Sequence, residues 1–499
     1  MKNTLPAFAA FVLALASPAA IGCVLGAVYN LPIPFETYAV GATAALIASF
    51  VVVANIQRVP VEVGGRVAIA LPASGRLRVP AGVTEAASWF SVMALLLSIC
   101  TGFAGSVNPL ANFNMTFFWI VFTLGLAYLT AFVGNVYEWS NPWRAMFQTV
   151  ESVRPNLFRG VVAYPARLAY YPALALYMAL IWIELFGSIR PVTLSTLLLA
   201  YTVINLTMAW LFGKAAWLRH GEIFSVFFGL IGRIAPVAYR ESRRAPGEFE
   251  AILRKPFTGV FEGHADHFSL LLFILFMLSS TAFDGAHETL PWVGIFWRGL
   301  YPAMSAHLER PYAFWVQLYY AWQSAMLIVS PFVYLALYLA LLRLAKFVTR
   351  SELTLGTLAL RFAFTLIPIA LVYNVAHYFG ELISQGLLIV RMVSDPFNMG
   401  WNLFGTARWL ADPVVLDAGI VWHMQVAVIL VGHIASVYLA HVEALKVFST
   451  RGRAIFSQLP MLALMVVLTT VGLWILSLPI DAGETAAPPS AMAWAPRAV

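Results

Sequence analysis

Eleven apolar runs follow one another along this 499-residue chain, and each can cross the roughly 30 Å hydrocarbon core of a bilayer as a helix. They occupy residues 7–28, 38–54, 87–104, 115–134, 165–187, 193–213, 267–286, 315–341, 361–383, 419–445 and 457–479. Only 11% of the residues are charged and 61% are hydrophobic, whereas ordinary soluble domains are about 25% charged. The sequence therefore predicts an all-α, polytopic transmembrane helical bundle of about eleven spans.

The linkers between these runs alternate in their content of basic residues. Several Lys or Arg occur in each of the linkers 55–86, 135–164, 214–266, 342–360 and 446–456, and the intervening linkers hold two at most. Since basic loops stay in the cytoplasm, the alternation predicts a bacterial inner-membrane protein with a cytoplasmic N-terminus and a periplasmic C-terminus. The net charge of +7 is therefore expected to set orientation in the lipid bilayer, and it indicates no nucleic-acid partner.

The ends of the chain are interpreted separately from its centre. Residues 1–29 combine Lys2 with apolar and small residues, which fits either a secretory signal peptide or a first transmembrane span. Cleavage of a signal peptide would leave ten spans. Residues 30–480 are expected to form a single polytopic membrane domain, and the Ala- and Pro-rich residues 481–499 a disordered periplasmic tail.

The two longest basic linkers differ in composition. Residues 56–82 are rich in Val, Pro and Gly, which favours short strands or extended loop. Residues 214–262 mix aromatic with basic residues, which is typical of a helix lying on the membrane surface. Cys23 and Cys100 fall inside apolar runs, so we expect small buried hydrophobes rather than a disulfide or thiolate metal site.

Ionisable side chains inside apolar runs indicate function, because hydrocarbon penalises them. His377 and Glu381 are four residues apart and share one face of a helix. Counting about 1.5 Å per helical residue places both near the periplasmic end of their span. Three other runs place polar residues at the same depth, namely Glu184, Asp284, His423 and Gln425.

We call the depth shared by these six side chains the polar level, and two interpretations of it stay open. Two imidazoles and a carboxylate suit a divalent Zn, Fe or Mn ion, whose open coordination position makes a bound water nucleophilic. His377, His423 and Asp284 are then the predicted metal ligands, with Asp395 or Glu381 orienting the water. Alternatively, these groups make only structural hydrogen bonds or end-of-helix contacts. No HExxH, GxSxG, Walker or CxxC motif decides between them.

The positions of the remaining histidines in the spans indicate structural roles. His433 falls near the midplane, where an imidazole usually bonds a neighbouring helix. A bis-histidine haem needs a second ligand at that depth and finds none in the sequence. At the cytoplasmic edge, His264, His267 and His441 fit either an inner metal site or helix capping and interhelical contacts, and we expect the latter.

Two periplasmic loops can cover the polar level. Residues 394–405 contain Asp-Pro, Asn and two Gly, which are turn formers, together with aromatic residues such as Trp401. This loop is either part of the aromatic belt or a lid with Asp395 pointing inward. The loop 287–314 carries further aromatic residues. A pocket walled in this way suits a small apolar substrate.

Several short motifs follow one another between residue 31 and about residue 445. They are Leu31-Pro-Ile-Pro34, the stretch 135–144 ending in Ser-Asn-Pro-Trp-Arg, Ser280–Gly285, Val375-Ala-His-Tyr378, Ser394-Asp-Pro396 with Gly400-Trp401 and Leu403–Gly405, and Gly432–Ala435 with Tyr438–His441. Together they resemble a family of bacterial integral-membrane proteins, the fenitrothion hydrolases. The resemblance implies hydrolysis of an organophosphate triester at the membrane. By motif position it points to Asp284, His377, Asp395, Trp401, His423, His433 and His441.

The chain departs from the family pattern at two positions of the 394–405 loop. The family usually carries Gly where this chain has Asn398, and Asp where it has Asn402. An amide cannot serve as a base or as an anionic ligand. The second departure therefore bears on whether the family activity is kept.

The sequence as a whole predicts a membrane-embedded, metal-dependent hydrolase of an organophosphate or other apolar ester, acting at the outer face of the inner membrane. Asp395, Glu381 and Trp401 are its predicted catalytic residues, and a homologous partner subunit can complete the site. The alternative function is a transporter or permease for a metal ion or small apolar solute. Few polar residues continue inward and no inverted repeat is visible, which favours the hydrolase. A purely structural subunit is the third possibility.

Overall fold

Ten of the eleven predicted spans are helices in the computed structural model, which describes residues 34–56, 77–187, 189–242, 247–409, 417–448 and 450–478. They are α1 Phe35–Ile56, α2 Ala81–Ala104, α3 Phe113–Val133, α4 Tyr171–Phe186, α5 Pro191–Phe212, α6 Phe268–His287, α7 Tyr312–Thr349, α8 Leu355–Gly386, α9 Ala418–Val447 and α10 Arg451–Ser477. All but the 16-residue α4 are long and apolar enough to cross a membrane. The helical-bundle prediction is confirmed, and the chain is a multi-pass membrane protein. The run 7–28 and the tail 481–499 lie outside the described residues.

Helices α6 and α8 occupy the centre of the bundle. Residues 270–277 of α6 are apolar on every side, and a helix of that kind is stable only when other helices surround it. Its Phe273 and Phe276 are fully buried. The two helices run in the same direction, because Phe268 packs near Gly356 where they begin. Their C-terminal halves therefore reach the same end of the bundle, which we call the Asp284 end.

A small antiparallel sheet lies at the opposite end, which we call the sheet end. Its strands are β1 Leu77–Val79, β2 Val237–Glu241 and β3 Phe249–Leu253, in the order β1-β3-β2. The register sets Glu250 between Arg78 and Arg240, so opposite charges are cross-strand neighbours. The strand expected within residues 56–82 is thus present at Leu77–Val79, and residues 57–76 lie outside the described part of the chain.

Residues 214–231 enter the bundle as a helical hairpin instead of lying on its surface. The helix Lys214–His220 folds back along α5, and the Trp217 indole Nε1 donates to the Asn205 side-chain oxygen at 2.8 Å. The chain turns at Glu222, whose carboxylate accepts a 2.5 Å bond from the Tyr201 hydroxyl about halfway along α5. The second helix, Ile223–Ile231, returns to the sheet end. We call residues 214–231 the re-entrant hairpin.

The composition of the second helix of the hairpin explains this difference. Ile223–Ile231 carries no charged residue, and its Phe224, Phe228 and Ile231 are buried. The basic residues that predicted a surface helix, Arg219 and Arg233, flank this segment rather than lie within it. Non-spanning backbone at membrane depth is tolerated where protein surrounds it, so the bundle interior is the favoured place for this helix.

Shorter elements complete the described fold. The predicted loop 287–314 is mostly helical, with Leu290–Gly294, the π-helical Ile295–Leu300 and Tyr301–Ser305. The other short helices are Pro109–Ala111, Tyr137–Ser140, Pro142–Val153, Leu157–Arg159, Thr258–Phe261 and Ile389–Ser394. Cys100 is exposed on α2, so the prediction that it is buried was wrong. An apolar thiol on the outside of a membrane helix can face lipid without a desolvation cost.

Candidate functional site

Asp284 and His377 form a direct pair where α6 and α8 meet. The His377 Nε2 atom lies 2.8 Å from the Asp284 Oδ2 atom. Both side chains are mostly buried, with 14% of Asp284 and 23% of His377 exposed. A charged hydrogen bond at this distance is strong when water is scarce. Two of the three predicted metal ligands therefore meet, as the depth argument required.

Tyr378 joins the same carboxylate oxygen. Its hydroxyl donates to Asp284 Oδ2 at 2.5 Å, so two adjacent residues of α8 hold one atom of α6. Sequence reasoning did not single out Tyr378 as functional. Its position beside His377 in an apolar run was the available signal, because a phenol at that depth also needs a hydrogen-bond partner.

The second ring nitrogen of His377, Nδ1, faces the contact between α6 and α10. Nδ1 has no hydrogen-bond partner within the described ranges. It lies 3.6 Å from the place a Cβ atom would take on Gly285, and Ile475 of α10 lies 3.4 Å from that place. A Cβ atom at position 285 would therefore make ordinary van der Waals contact with the imidazole edge. Because Nε2–H donates to the carboxylate, Nδ1 is the lone-pair nitrogen of the neutral ring.

His287 closes the end of α6 beside the pair. Its Nδ1 atom donates to the Asp284 carbonyl oxygen at 2.8 Å and lies 3.8 Å from Asp284 Oδ1. The ring stacks on Phe283 at 5.4 Å between centroids. The sequence placed His287 in a covering loop, whereas the structure places it in the last turn of α6, where it is 7% exposed.

Two further carboxylates lie near Asp284. Glu381 is one helical turn beyond His377 and has an exposed side chain, and Glu184 of α4 lines a cavity with Tyr378. The charges of Asp284 and Glu381 both act on Glu184. Sequence reasoning placed all three at one depth, and the structure brings them to the same region.

The cavity beside Glu184, which we call the polar cavity, has a volume of about 50 Å³. Asn374, Ser280 and Thr281 contribute polar groups to its walls, and Phe224 of the re-entrant hairpin contributes to the wall nearer the sheet end. One water molecule needs roughly 10–15 Å³ of such space. The cavity therefore has room for a few waters next to the carboxylates, but not for a substrate.

His423 does not join the Asp284–His377 pair. Its Nδ1 atom donates to the Gly419 carbonyl at 2.7 Å, and its Nε2 atom lies 3.1 Å from the Tyr38 hydroxyl of α1. Gln425, two residues later, donates to the Ala376 carbonyl of α8 at 2.8 Å. Two residues correspond to about 200° around a helix. Gln425 therefore faces α8, and His423 faces α1 with an exposed side chain.

The side chains that meet at this site are too few to form the predicted metal centre. A catalytic divalent metal usually takes three protein ligands, and the structure joins only Asp284 and His377 of the predicted three. In the part of the chain that the structure describes, no three His, Cys, Asp or Glu side chains converge as ligands. Zn, Fe or Mn binding by His377, His423 and Asp284 therefore stays a prediction.

Asp395 holds its own loop together. Its Oδ1 and Oδ2 atoms accept the backbone N–H groups of Met399 at 2.8 Å and Gly400 at 2.7 Å. Trp401 is 42% exposed and packs against Phe397 at 5.7 Å between ring centroids. Neither residue forms a hydrogen bond, ion pair or ring contact with the Asp284–His377 pair. Their predicted catalytic role stays a prediction, and the observed contacts are those of a folded turn.

The two departures from the family pattern have local explanations. Asn398 has a φ of 56°, a left-handed conformation that Gly adopts freely and Asn tolerates better than most residues. The Asn402 side-chain oxygen accepts the Ala407 N–H at 3.0 Å. A carboxylate can accept that bond equally well. Both positions therefore serve the loop backbone in this structure.

The other histidines make structural contacts. His433 bonds the carbonyl of Ile429 in its own helix at 2.8 Å. His441 lies 2.9 Å from the Gln458 side-chain nitrogen of α10, and His267 caps the start of α6 by accepting the Ser269 N–H at 3.1 Å. The expected interhelical and capping roles of His441 and His267 are thus confirmed.

No known protein family, curated protein or solved structure gives a significant match to this chain. The likeness of its motifs to the fenitrothion hydrolases therefore remains an expectation.

Proposed function

We propose that this protein is a membrane-embedded hydrolase of apolar esters, with organophosphate triesters among its substrates. The observation that carries the proposal is the 2.8 Å Asp284–His377 pair, in which one ring nitrogen is bonded and the other is free. A carboxylate that orients an imidazole is the arrangement of a general base. The motif resemblance supports the same reaction class.

The pair performs the reaction in two proton transfers. His377 Nδ1 takes a proton from a water molecule while the water oxygen bonds to the phosphorus or acyl carbon. The Asp284 carboxylate stabilises the imidazolium that forms. The ester bond then breaks, and the departing alkoxide or phenoxide takes the proton from His377. The products are an acid and an alcohol or phenol.

Tyr378 and the surrounding apolar residues set the strength of the base. The Tyr378 hydroxyl fixes Asp284 Oδ2 at 2.5 Å, so the carboxylate cannot turn away from the imidazole. Phe283 is buried and Ile475 packs beside Gly285, so apolar side chains surround part of the pair. Electrostatic stabilisation is worth more in such a setting than in water. If the predicted orientation holds, the site faces the periplasmic side of a bacterial inner membrane, where a lipid-soluble ester can arrive from the bilayer.

A divalent metal is a separate part of the proposal. If bound, it would lower the pKa of a coordinated water, and Asp284 and His377 are the side chains that would hold it. The reaction above needs only the residues of the chain. A homologous partner subunit that supplies a third ligand also stays a prediction.

Purified protein should be tested with fenitrothion and with 4-nitrophenyl octanoate, following release of the nitrophenol. We expect His377→Ala and Asp284→Asn to lower turnover at least a hundredfold, the usual size of a general-base contribution. His423→Ala is the matched control, because its imidazole lies on the other side of α9. Metal content should be measured for all three variants.

The outcomes separate the two forms of the mechanism. Turnover that survives in His423→Ala but not in His377→Ala supports the two-residue base. Loss of both turnover and bound metal in His423→Ala would instead support the three-ligand metal centre. Undiminished turnover in His377→Ala, or no hydrolysis of either ester by the wild type, contradicts the proposed function.

Transport of a small solute or metal ion, coupled to protons, is the second candidate function. It is favoured by the re-entrant hairpin together with the polar cavity, which continues from Tyr378 toward the sheet end. Interrupted helices at membrane depth commonly line transport pathways. Proteoliposomes that hold Zn²⁺ and a pH-sensitive dye should then show proton uptake as Zn²⁺ leaves, and Glu184→Gln should abolish that uptake. Proton uptake equal to that of empty liposomes would exclude this candidate.

A further inference from the structure

A second cavity, which we call the apolar cavity, lies between α6, α7, α8, α9 and α10. Its volume is about 90 Å³, roughly six times or more the space that one water requires. Leucine, isoleucine and methionine side chains form half of its walls, and Tyr334, Tyr338 and Tyr373 contribute aromatic rings. A cavity of this composition suits an apolar molecule better than a cluster of water.

Two polar side chains of α9 line the apolar cavity. His433 and Ser436 are 1% and 2% exposed. The His433 Nδ1–H group donates to the Ile429 carbonyl, so Nε2 carries the lone pair and can accept a hydrogen bond. The Ser436 hydroxyl is buried and has no hydrogen-bond partner among the described residues. An unpaired buried hydroxyl is costly, and a ligand that pairs with it removes that cost.

One wall residue of the apolar cavity, Ile475, lies beside the Asp284–His377 pair. Ile475 lines the cavity and also packs against Gly285, where the free nitrogen of His377 lies. Tyr373, another wall residue, precedes His377 by one helical turn. The apolar cavity therefore lies close to the pair, with the Ile475 side chain between them.

We propose that the apolar cavity binds an apolar alcohol or phenol. The ligand hydroxyl donates to His433 Nε2 and accepts from Ser436 Oγ, while its chain or ring fills the space between the helices. An ether of the same shape has no donor and leaves Nε2 unpaired, which a buried polar site penalises. An alcohol or phenol is what ester hydrolysis releases. The assignment as a product site rests on the proposed function, whereas binding itself does not.

The test compares phenol with its methyl ether, anisole, because both are small enough for a cavity of about 90 Å³. Detergent-purified protein is titrated with each by calorimetry. We expect the phenol to bind at least tenfold more tightly. His433→Phe should abolish this preference and Ser436→Ala should reduce it. Equal affinity for the two compounds, or a preference that survives in His433→Phe, overturns the proposal.

A filled cavity gives an independent readout. Ala282→Phe places a ring inside the cavity and should abolish phenol binding, whereas Ala336→Phe, on an exposed position of α7, should not. Binding that persists in Ala282→Phe contradicts the location. If the phenol binds but no ester is hydrolysed, the cavity assignment stands and the proposed hydrolase fails. Hydrolysis without a phenol preference supports the hydrolase and overturns the cavity assignment.

Discussion

Tyr378 contributes one hydrogen bond to the carboxylate that orients His377. Tyr378→Phe removes that bond and leaves the ring in place. A hydrogen bond to a charged group is worth about 1.5–3 kcal/mol, so we expect hydrolytic turnover to fall roughly tenfold or more with little loss of folded protein. Initial rates on 4-nitrophenyl octanoate measure the effect.

The matched control for this change is Tyr38→Phe. It removes a phenol contact with His423, 3.1 Å long, at the same depth of the bundle. Turnover should stay within a factor of two or so, since His423 takes no part in the two-residue base. Equal losses in both variants would show that the Tyr378 effect is structural.

Glu138, in the short helix Tyr137–Ser140 near the sheet, gives a pH-dependent prediction. Burial raises its pKa from 4.5 to about 7, and the nearby Arg144 offsets only part of that rise. The folded state therefore binds a proton more tightly than the unfolded state does. The stabilisation from this group is complete below pH 4.5 and is lost as the pH rises through 7.

Glu138→Gln should remove this dependence. We expect the melting temperature of the variant to exceed that of the wild type by about 2–4 °C at pH 7.5, with the difference closing near pH 4.5. Thermal unfolding followed at a series of pH values measures it. A difference that is constant across that range would mean that Glu138 titrates normally in the folded protein.

At the scale of the helices, the sequence predicted the depth of a polar side chain along its helix. It did not predict which neighbouring helix that side chain faces. Counting residues placed Asp284, His377, His423 and Gln425 at one level, and the contacts of Asp284 with His377 and of Gln425 with Ala376 agree with it. Which face of α9 meets α8 depends on how the helices pack, and apolar runs carry little information about that. His423 was therefore placed at the right depth but beside the wrong neighbour.

The re-entrant hairpin escaped prediction for a different reason. Its second helix has nine residues, too few for a span, and basic residues flank its aromatic segment as they do in a surface helix. The decisive interactions are those of Glu222 with Tyr201 and of Trp217 with Asn205. They join residues 12–21 positions apart on different elements, and no local pattern shows such pairs.

The stability of the hairpin depends on Glu222. Its carboxylate accepts the backbone N–H groups of Phe224 and Ser225, and its side chain is fully buried. Glu222→Ala leaves both groups unpaired in the interior. Each buried unpaired group costs about 1–3 kcal/mol, so we expect a loss of roughly 2–6 kcal/mol, measured by thermal or denaturant unfolding in detergent.

Glu309→Ala, at an exposed position between α6 and α7, is the control for Glu222→Ala and should change stability by less than about 0.5 kcal/mol. A loss of similar size in both variants would argue that Glu222 is not a specific cap. Tyr201→Phe should show an intermediate loss, because the cap then keeps its backbone bonds.

At the scale of the whole molecule, the alternation of basic linkers predicts that the sheet end is cytoplasmic. Replacing both native cysteines by Ser allows single-cysteine variants to be compared. Met399→Cys, in the exposed loop held by Asp395, should react with a membrane-impermeant maleimide in intact cells. Val153→Cys, exposed at the end of the helix Pro142–Val153 near the sheet end, should react only after permeabilisation. The reverse labelling pattern would invert the predicted orientation.

The bundle could be predicted from composition alone, because hydrocarbon leaves a helical chain few alternatives. The site could be predicted only in part. The sequence identified Asp284 and His377 because ionisable groups are conspicuous in apolar runs. Tyr378 and Ser436 are residue types that are common in such runs. Tyr378 is notable only for its hydrogen bond to Asp284. Ser436 is notable only because its buried hydroxyl has no partner among the described residues.

The two bonds that converge on Asp284 Oδ2 also constrain motion. His377 and Tyr378 are neighbours on α8 and both are tied to a single atom of α6, so α8 cannot swivel about its long axis without breaking both ties at once. Protonation of the Asp284 carboxylate would weaken both hydrogen bonds. A change in the charge of Asp284 would therefore allow α8 to rotate more freely against α6.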